Sequence, residues 1–367
     1  MIHASRRRIA VICVALVALG LTGCGLASSI NVADVKPGTY TIALSNAFLG
    51  NTWRQTMVKV FEHTARQAQQ QGLIKGYKTE NTTDNTATEQ IAQLKSLILQ
   101  RVNAILIDAA APAALNPTIK QACDVGITVI VFDSLATAPC AYKLEDSLAD
   151  YGYKEGQFVA SAMGGKGNLL MVRGVVGSAP EQTIHSNQLK AISKYPQVKV
   201  VGNLIGQASN AVTQQVVAGA LPSLPTIGGA VSGGSSLGAA QAFQSAGKPI
   251  PAVAFDNSGE GLRFWSGQLA KNSQYAAASV RTEPGQAAAA FWIALDLLQG
   301  HKVKNQIYTF PNILITRRTL PDWLKVTPNG NVATWLWTRA ETRRVVQANL
   351  RGNTTNLPQP PIPTTAP

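Results

Sequence analysis

The chain has 367 residues, with 32 lysines and arginines against 19 acidic residues, a formal charge of +13. Beyond Arg6-Arg7-Arg8 its cations are scattered, with short clusters only at Arg317-Arg318 and Arg343-Arg344. No basic stripe with interleaved aromatics appears, which argues against a nucleic-acid partner. The length exceeds what one hydrophobic core usually serves, and a charged fraction of 14% with abundant Ala, Val, Ile and Leu suits buried sheets in two α/β domains.

The first segment reads as a targeting signal. Arg6, Arg7 and Arg8 precede an apolar run from Ile9 to Leu21 that is too short to span a bilayer comfortably. It ends in Leu21-Thr22-Gly23-Cys24, which resembles the bacterial lipobox. The resemblance implies that residues 1–23 are removed, that Cys24 carries lipid as the new first residue, and that 24–37 form a linker. The alternative is an ordinary secretory signal or membrane anchor that contains a cysteine. Removing three arginines leaves 29 cations against 19 acids, or +10, so the exported chain stays basic. It is expected outside the cytoplasm, lipid-anchored in the periplasm or on the outer face of the cell membrane.

From Thr39 onward, short apolar runs alternate with helical stretches, the pattern of βα units in a parallel sheet. A strand over Tyr40–Leu44 leads to a helix over Thr52–Gln71 stopped by Gly72, then a helix over Thr86–Arg101 and a strand over Ala104–Asp108. A helix over Pro117–Asp124 and a strand over Ile127–Phe132 follow, ending at Asp133-Ser134. The rhythm then restarts. Helices are expected over 156–163, 184–194, 211–221, 237–246 and 285–298, and strands over 168–172, 198–204, 227–231, 252–255 and 307–315. A polar, Pro-rich tail from about Arg351 is expected to be disordered.

Two cysteines remain beside Cys13 in the signal and Cys24. Cys123 and Cys140 are either a disulfide, closing a loop that would stabilise by about 3 kcal/mol, or two buried thiols. Cys140 follows Pro139 in a loop where a partner could reach it.

Several strings, in order, resemble the sugar-binding branch of the type I periplasmic binding proteins, the ribose-binding-like receptors of ABC importers. They are Gly50-Asn51-Thr52-Trp53, Ile105-Leu-Ile-Asp108, Gly126-Ile-Thr-Val-Ile-Val-Phe-Asp133, Leu237-Gly-Ala-Ala-Gln-Ala-Phe-Gln-Ser-Ala-Gly-Lys248 and Ala254-Phe-Asp256-Asn257. The resemblance covers about residues 38 to 315. It implies two Rossmann-like lobes with a ligand in the cleft: lobe 1 from 38–145 plus 282–310, lobe 2 from 146–281 plus 311–345, and a tail over 346–367. The lobes would close about a hinge near Asp146, Thr282 and Phe310.

The same resemblance assigns ligand-binding roles to Asn51, Trp53, Arg54, Asp133, Ser134, His185, Ser232, Asp256 and Arg281. Trp53 would cover the apolar face of a sugar ring, or pack in the first lobe's core. Asp133 and Asp256 stand at carboxyl ends of strands, where open parallel sheets bind ligands, or cap the helices that follow. His185 takes the place of a helix-start arginine if one residue is inserted, and Arg281 that of a polar hinge residue, unless it forms a surface ion pair with Glu283. Ala208 stands near where an aromatic wall is common, and Ser232-Gly233-Gly234 replaces an Asn-Asp pair. These departures leave the ligand open among sugars, polyols, amino sugars and other small hydroxylated solutes.

Other classes find less support. No Walker loop, G-x-G-x-x-G, G-x-S-x-G or His-Glu metal pattern is present, which argues against an enzyme and against any cofactor or metal. A DNA-binding regulator of this fold needs a helix-turn-helix where the signal stands. The expected partners are a small solute, an ABC permease and the membrane through the lipid, with the chain itself a monomer. A sensory receptor feeding a membrane kinase or chemoreceptor is the alternative function.

Overall fold

The computed structural model describes residues 38–176, 178–354 and 357–367. The expected signal, Cys24 and the linker to residue 37 lie outside the described residues. Lobe 1 opens with β1 (Thr41–Asn46), α1 (Thr52–Gln70), β2 (Gly76–Asn81), α2 (Ala87–Leu99), β3 (Ala104–Asp108), α3 (Pro112–Asp124), β4 (Thr128–Phe132) and β5 (Tyr142–Asp146). Lobe 2 follows with α4 (Leu148–Ala162), β6 (Lys166–Arg173), α5 (Ala179–Ile192), β7 (Gln197–Ile205), α6 (Asn210–Ala220), β8 (Ile227–Ser232), α7 (Ser236–Ser245), β9 (Ala252–Ala254), α8 (Gly259–Lys271) and β10 (Ala277–Arg281). The chain returns to lobe 1 for α9 (Gln286–Leu298) and β11 (Ile307–Phe310), supplies β12 (Ile313–Ile315) and α10 (Leu320–Val326) to lobe 2, and ends with α11 (Arg339–Leu350).

Each lobe holds one six-stranded sheet, ordered β11-β5-β4-β3-β1-β2 and β12-β10-β9-β8-β6-β7. The two orders are the same winding used twice. All neighbours in lobe 1 are parallel, and lobe 2 departs only in β12, which runs antiparallel to β10. Helices cover both faces of such sheets, so the central strands are continuously apolar. β3 (AILID) is buried at every position and β4 at every position after Thr128. The strands toward the two sides of the sheet differ: the edge strand β2 (GYKTEN) and β5 (YKLED), next to the edge strand β11, are only partly buried and have no apolar run to announce them.

The lobes are joined at Asp146–Leu148, Arg281–Gln286 and Phe310–Ile313, against expected boundaries after residues 145, 281 and 310. A fourth crossing was not expected. After α10, which packs on α8, residues 331–337 run back past both lobes and lead into α11, which packs on α9 and β11 of lobe 1. Residues 339–345 therefore lie with lobe 1, not with lobe 2 as expected. The tail differs too: α11 runs through residue 350, Leu357 is buried in the main core cluster, and Ile362 packs against it. Apolar side chains spaced among the prolines give the tail something to bury, which a composition reading overlooks. That core cluster runs through both lobes by way of Phe291, Phe310, Trp335 and Trp337.

Candidate functional site

Lobe 1 gathers charge at the carboxyl ends of its parallel strands. Asn51 caps α1, its side-chain oxygen accepting from the Arg54 backbone N–H at 2.8 Å. This cap fixes the first turn and sends the Arg54 guanidinium to the strand ends. Its Nη1 pairs with Asp108 at the end of β3 and donates to Asn46 at the end of β1 (3.1 Å), while Nη2 lies 3.5 Å from Asp133 after β4. Gln90 of α2 holds the end of β3 in place, donating to the Asp108 carbonyl (2.9 Å) and accepting from the Ala110 N–H (2.7 Å).

One guanidinium thus serves two carboxylates. Burial pushes the Asp108 carboxyl up to about 8, with Arg54 opposing the shift and the Asp133 charge adding to it. Asp133 is also raised by burial, and its backbone is left-handed, with φ of 56°. A non-glycine residue held there stores strain of the kind that collects at binding sites. Ser134 contributes its carbonyl, which accepts from the Ala109 N–H at 3.2 Å and ties the two loops together. Trp53 is half-buried against the lobe 1 core with its indole N–H buried and unpartnered, and the Arg54 guanidinium lies 5.8 Å from its ring.

Lobe 2 treats its polar residues differently. Arg281 at the end of β10 is buried, and its Nη groups reach Tyr151, Glu155 (3.4 Å), Ser236 (2.9 Å) and the Ala254 carbonyl (3.0 Å). The surface pair with Glu283 that the sequence offered as its alternative role is absent, because the lobe 2 interior supplies Glu155 and Tyr151 instead. Asp256 accepts from Asn210 (3.0 Å), Ser258 (2.9 Å) and the Leu237 N–H (3.2 Å), so it organises the starts of α7 and α8. The Ser232 hydroxyl is engaged by Ser236 (2.7 Å) and the Ser235 N–H (3.0 Å). Arg173 makes two 2.7 Å bonds to Glu181 on α5. His185 stands close by with Nδ1 buried and unpartnered, and burial followed by the Arg173 charge lowers its pKa, Glu181 opposing.

The hinge segments add a third group. Both Asp146 oxygens are buried without a hydrogen bond of good geometry, and burial, then the charges of Glu283 and Asp133, push its carboxyl well up. Glu283 in the second crossing accepts from the Gly285 N–H (2.7 Å), the Thr334 hydroxyl (3.1 Å), the Trp335 N–H (3.4 Å) and the Trp337 indole. Among the described residues no group of three or more His, Cys, Asp or Glu side chains is set to hold a metal ion, and no helix is long and apolar enough to cross a membrane.

The structure therefore brings Asn51, Trp53, Arg54, Asp133 and Ser134 together on lobe 1, and His185, Ser232, Asp256 and Arg281 on lobe 2. Sequence reasoning placed Asp108 in a family motif without giving it a role. It also missed Asn46, Glu155, Arg173 and Glu283. A strand-end position was the available signal for Asn46, Asp108 and Arg173; for Glu155 and Glu283 there was none. Cys123 at the end of α3 is disulfide-bonded to Cys140 in the loop after β4, with Cα atoms 6.4 Å apart.

A family model described as "Periplasmic binding protein domain" matches residues 42–302. The xylitol-binding protein of Mycolicibacterium smegmatis is 26% identical over 303 residues, 81% of this chain and 82% of that protein. The ribose import binding protein of Bacillus subtilis is 25% identical over 229 residues, 61% of this chain and 72% of that protein. Among solved structures, an ABC transporter solute binding protein from Thermobispora bispora superposes with a TM-score of 0.82 at 45% identity, over 90% of this chain and 100% of that one. An Actinobacillus succinogenes solute binding protein with bound D-allose, at 21% identity and a TM-score of 0.67 over 77% of this chain and 100% of that one, shares the fold.

Proposed function

The chain belongs to the periplasmic binding protein family, and from that premise we propose that it is the solute-binding component of an ABC importer, holding a sugar or polyol between its lobes. The observation that carries the reading is the Arg54–Asp108–Asp133 group at the strand ends of lobe 1. A guanidinium and carboxylates held together offer donors and acceptors to vicinal hydroxyls, and each charge-assisted bond contributes about 1.5–3 kcal/mol. Trp53 presents a large apolar face beside them. The relatives named above are called xylitol- and ribose-binding, which agrees with a small polyhydroxylated ligand. The family is one of binding proteins, and the lobes perform no chemistry.

In this reading Asn51, Trp53, Arg54, Asp133, Ser134 and His185 surround the ligand. Ser232, Asp256 and Arg281 already have protein partners and shape the second wall from behind. The protein works outside the cytoplasm as a monomer, tethered through lipid on Cys24, and its closed form docks on a permease. A thermal-shift screen of sugars, polyols and amino sugars tests the ligand class, since a solute at a hundred times its Kd stabilises by about 2.7 kcal/mol. No shift with any hydroxylated solute would sink it. Cys24→Ser should move the protein from the membrane to the soluble fraction, and unchanged membrane retention would refute the anchor.

A further inference from the structure

The two sides of the cleft differ in what they leave free. Lobe 1 presents the partly exposed side chains of Arg54 and Asp133, with Asp108 buried behind them. On lobe 2 the polar side chains at the strand ends are engaged by the protein: Arg173 by Glu181, Ser232 by Ser235 and Ser236, Asp256 by three donors, Arg281 by its interior partners. Apart from the exposed Gln207 after β7, what the loops of this lobe turn outward is largely apolar or has no side chain. Val175 and Val176, directly after β6, are 47% and 42% exposed. Ala208 after β7 is held in a left-handed conformation, with φ of 51°. Gly233 and Gly234 follow β8, and a Cβ on Gly233 would lie 2.6 Å from the Gly174 backbone nitrogen, so no side chain, polar or otherwise, fits there without moving the chain.

The matched sheet orders give these positions their meaning. β6 occupies in lobe 2 the place that β1 occupies in lobe 1. The Val175-Val176 loop is therefore the counterpart of the loop that leads into Trp53 and Arg54. Two adjacent exposed β-branched residues at that place suit contact with something apolar.

Resting on the reading of the cleft as a sugar or polyol site, we infer that the ligand has two unlike edges: hydroxyls directed to Arg54 and Asp133, and a deoxy or methyl-bearing edge against Val175 and Val176. A deoxy sugar or methyl-substituted polyol has this character. A ligand with hydroxyls on every carbon would bury at least one of them against the valines and glycines without a partner, which is disfavoured.

The test is calorimetry on the full chain with matched pairs: L-rhamnose against L-mannose, and D-fucose and L-fucose against D-galactose and L-galactose. In at least one pair the deoxy member should bind tenfold tighter or more, about 1.4 kcal/mol. Val176→Asn, at an exposed position that tolerates a polar side chain, should shrink or reverse that ratio, as should Val175→Ser. Equal or tighter binding of the fully hydroxylated member, or an unchanged ratio in both variants, overturns the inference and leaves the sugar-binding reading intact. Absence of binding by every sugar and polyol in the panel overturns that reading, and the inference with it.

Discussion

The indole N–H of Trp337 donates to the buried carboxylate of Glu283, which joins the last crossing of the chain to the second. The same carboxylate takes the Thr334 hydroxyl and the Trp335 and Gly285 N–H groups. Trp337 also packs edge-on against Phe310 of the third crossing, ring centroids 5.2 Å apart. Residues 331–333 reach both lobes: the Val332 N–H donates to Thr56 on α1 at 3.1 Å, and the Ala333 N–H to the Asn257 carbonyl at 2.7 Å. Glu283 thus ties the second crossing to the last, and the Trp337 ring extends the contact to the third. Glu283→Ala strands four buried donors and should lower unfolding stability by about 3–5 kcal/mol, whereas Trp337→Phe keeps the packing, loses one N–H and should cost about 1–3 kcal/mol. Urea denaturation followed by tryptophan fluorescence reads both, and a Glu283→Ala loss under 1 kcal/mol would refute the latch.

Titration of Glu283 gives the hinge a pH signature. Burial pushes its carboxyl from 4.5 to about 7, with its hydrogen-bond donors opposing. The folded state therefore holds the proton more tightly than the unfolded chain. The resulting contribution is fully present below about pH 4.5 and is lost as pH rises through about 7. Wild-type melting temperature should fall over that interval by more than that of Glu283→Gln, which has no proton to release. Asp108 and Asp146 are raised in the same direction and leave a residual slope in the variant. Parallel pH profiles for the two proteins would show that Glu283 does not titrate there.

Arg54 is the only cation paired with Asp108 and Asp133 among the described residues. Its loss in Arg54→Ala leaves two buried carboxylates facing each other, and a cost of about 2–4 kcal/mol is expected at pH 8. At pH 6 the cost should be smaller, because Asp108, its carboxyl raised to about 8 even beside Arg54, is protonated there and no longer faces Asp133 as a charge. Asp108→Asn resembles the protonated acid and should be tolerated within about 1 kcal/mol in stability. A penalty for Arg54→Ala that does not change between these pH values would show that Asp108 keeps its charge.

Much of this was legible in the sequence, and what was not has a common cause. The buried strands announced themselves as apolar runs, and Asp133 and Asp256 stood where such strands end. β2 and β5 did not, because GYKTEN, at the sheet edge, and YKLED, next to the other edge, are only partly buried and of mixed composition. Partnerships of high sequence separation were also hidden. Arg54 meets Asp108 on a strand three elements later, Arg281 finds Tyr151 and Glu155, and Glu283 finds Thr334, Trp335 and Trp337. No local period records such pairs. The segment 327–338 reads as coil, and its role as a fourth crossing shows only in distant contacts, those of Val332, Ala333 and the donors to Glu283.

The Cys123–Cys140 disulfide bears on the site through the loop that follows Asp133. That loop is already held by Asn116 of α3, which donates to the Thr137 hydroxyl at 2.7 Å and accepts from the Thr137 N–H at 3.1 Å. Closing a loop of 17 residues stabilises by about 3 kcal/mol when nothing else constrains it. Here the Asn116 bonds keep part of the native geometry after the bridge is cut, but they do not restrict the unfolded chain, so the entropic loss should be felt nearly in full. Cys123→Ser with Cys140→Ser should therefore lower unfolding stability by about 2–3 kcal/mol, while ligand affinity falls less than tenfold because Asn116 still positions the loop. Adding Asn116→Ala to that pair should release the loop and weaken binding well beyond tenfold. If the triple variant binds as tightly as the double, Asn116 does not hold the loop.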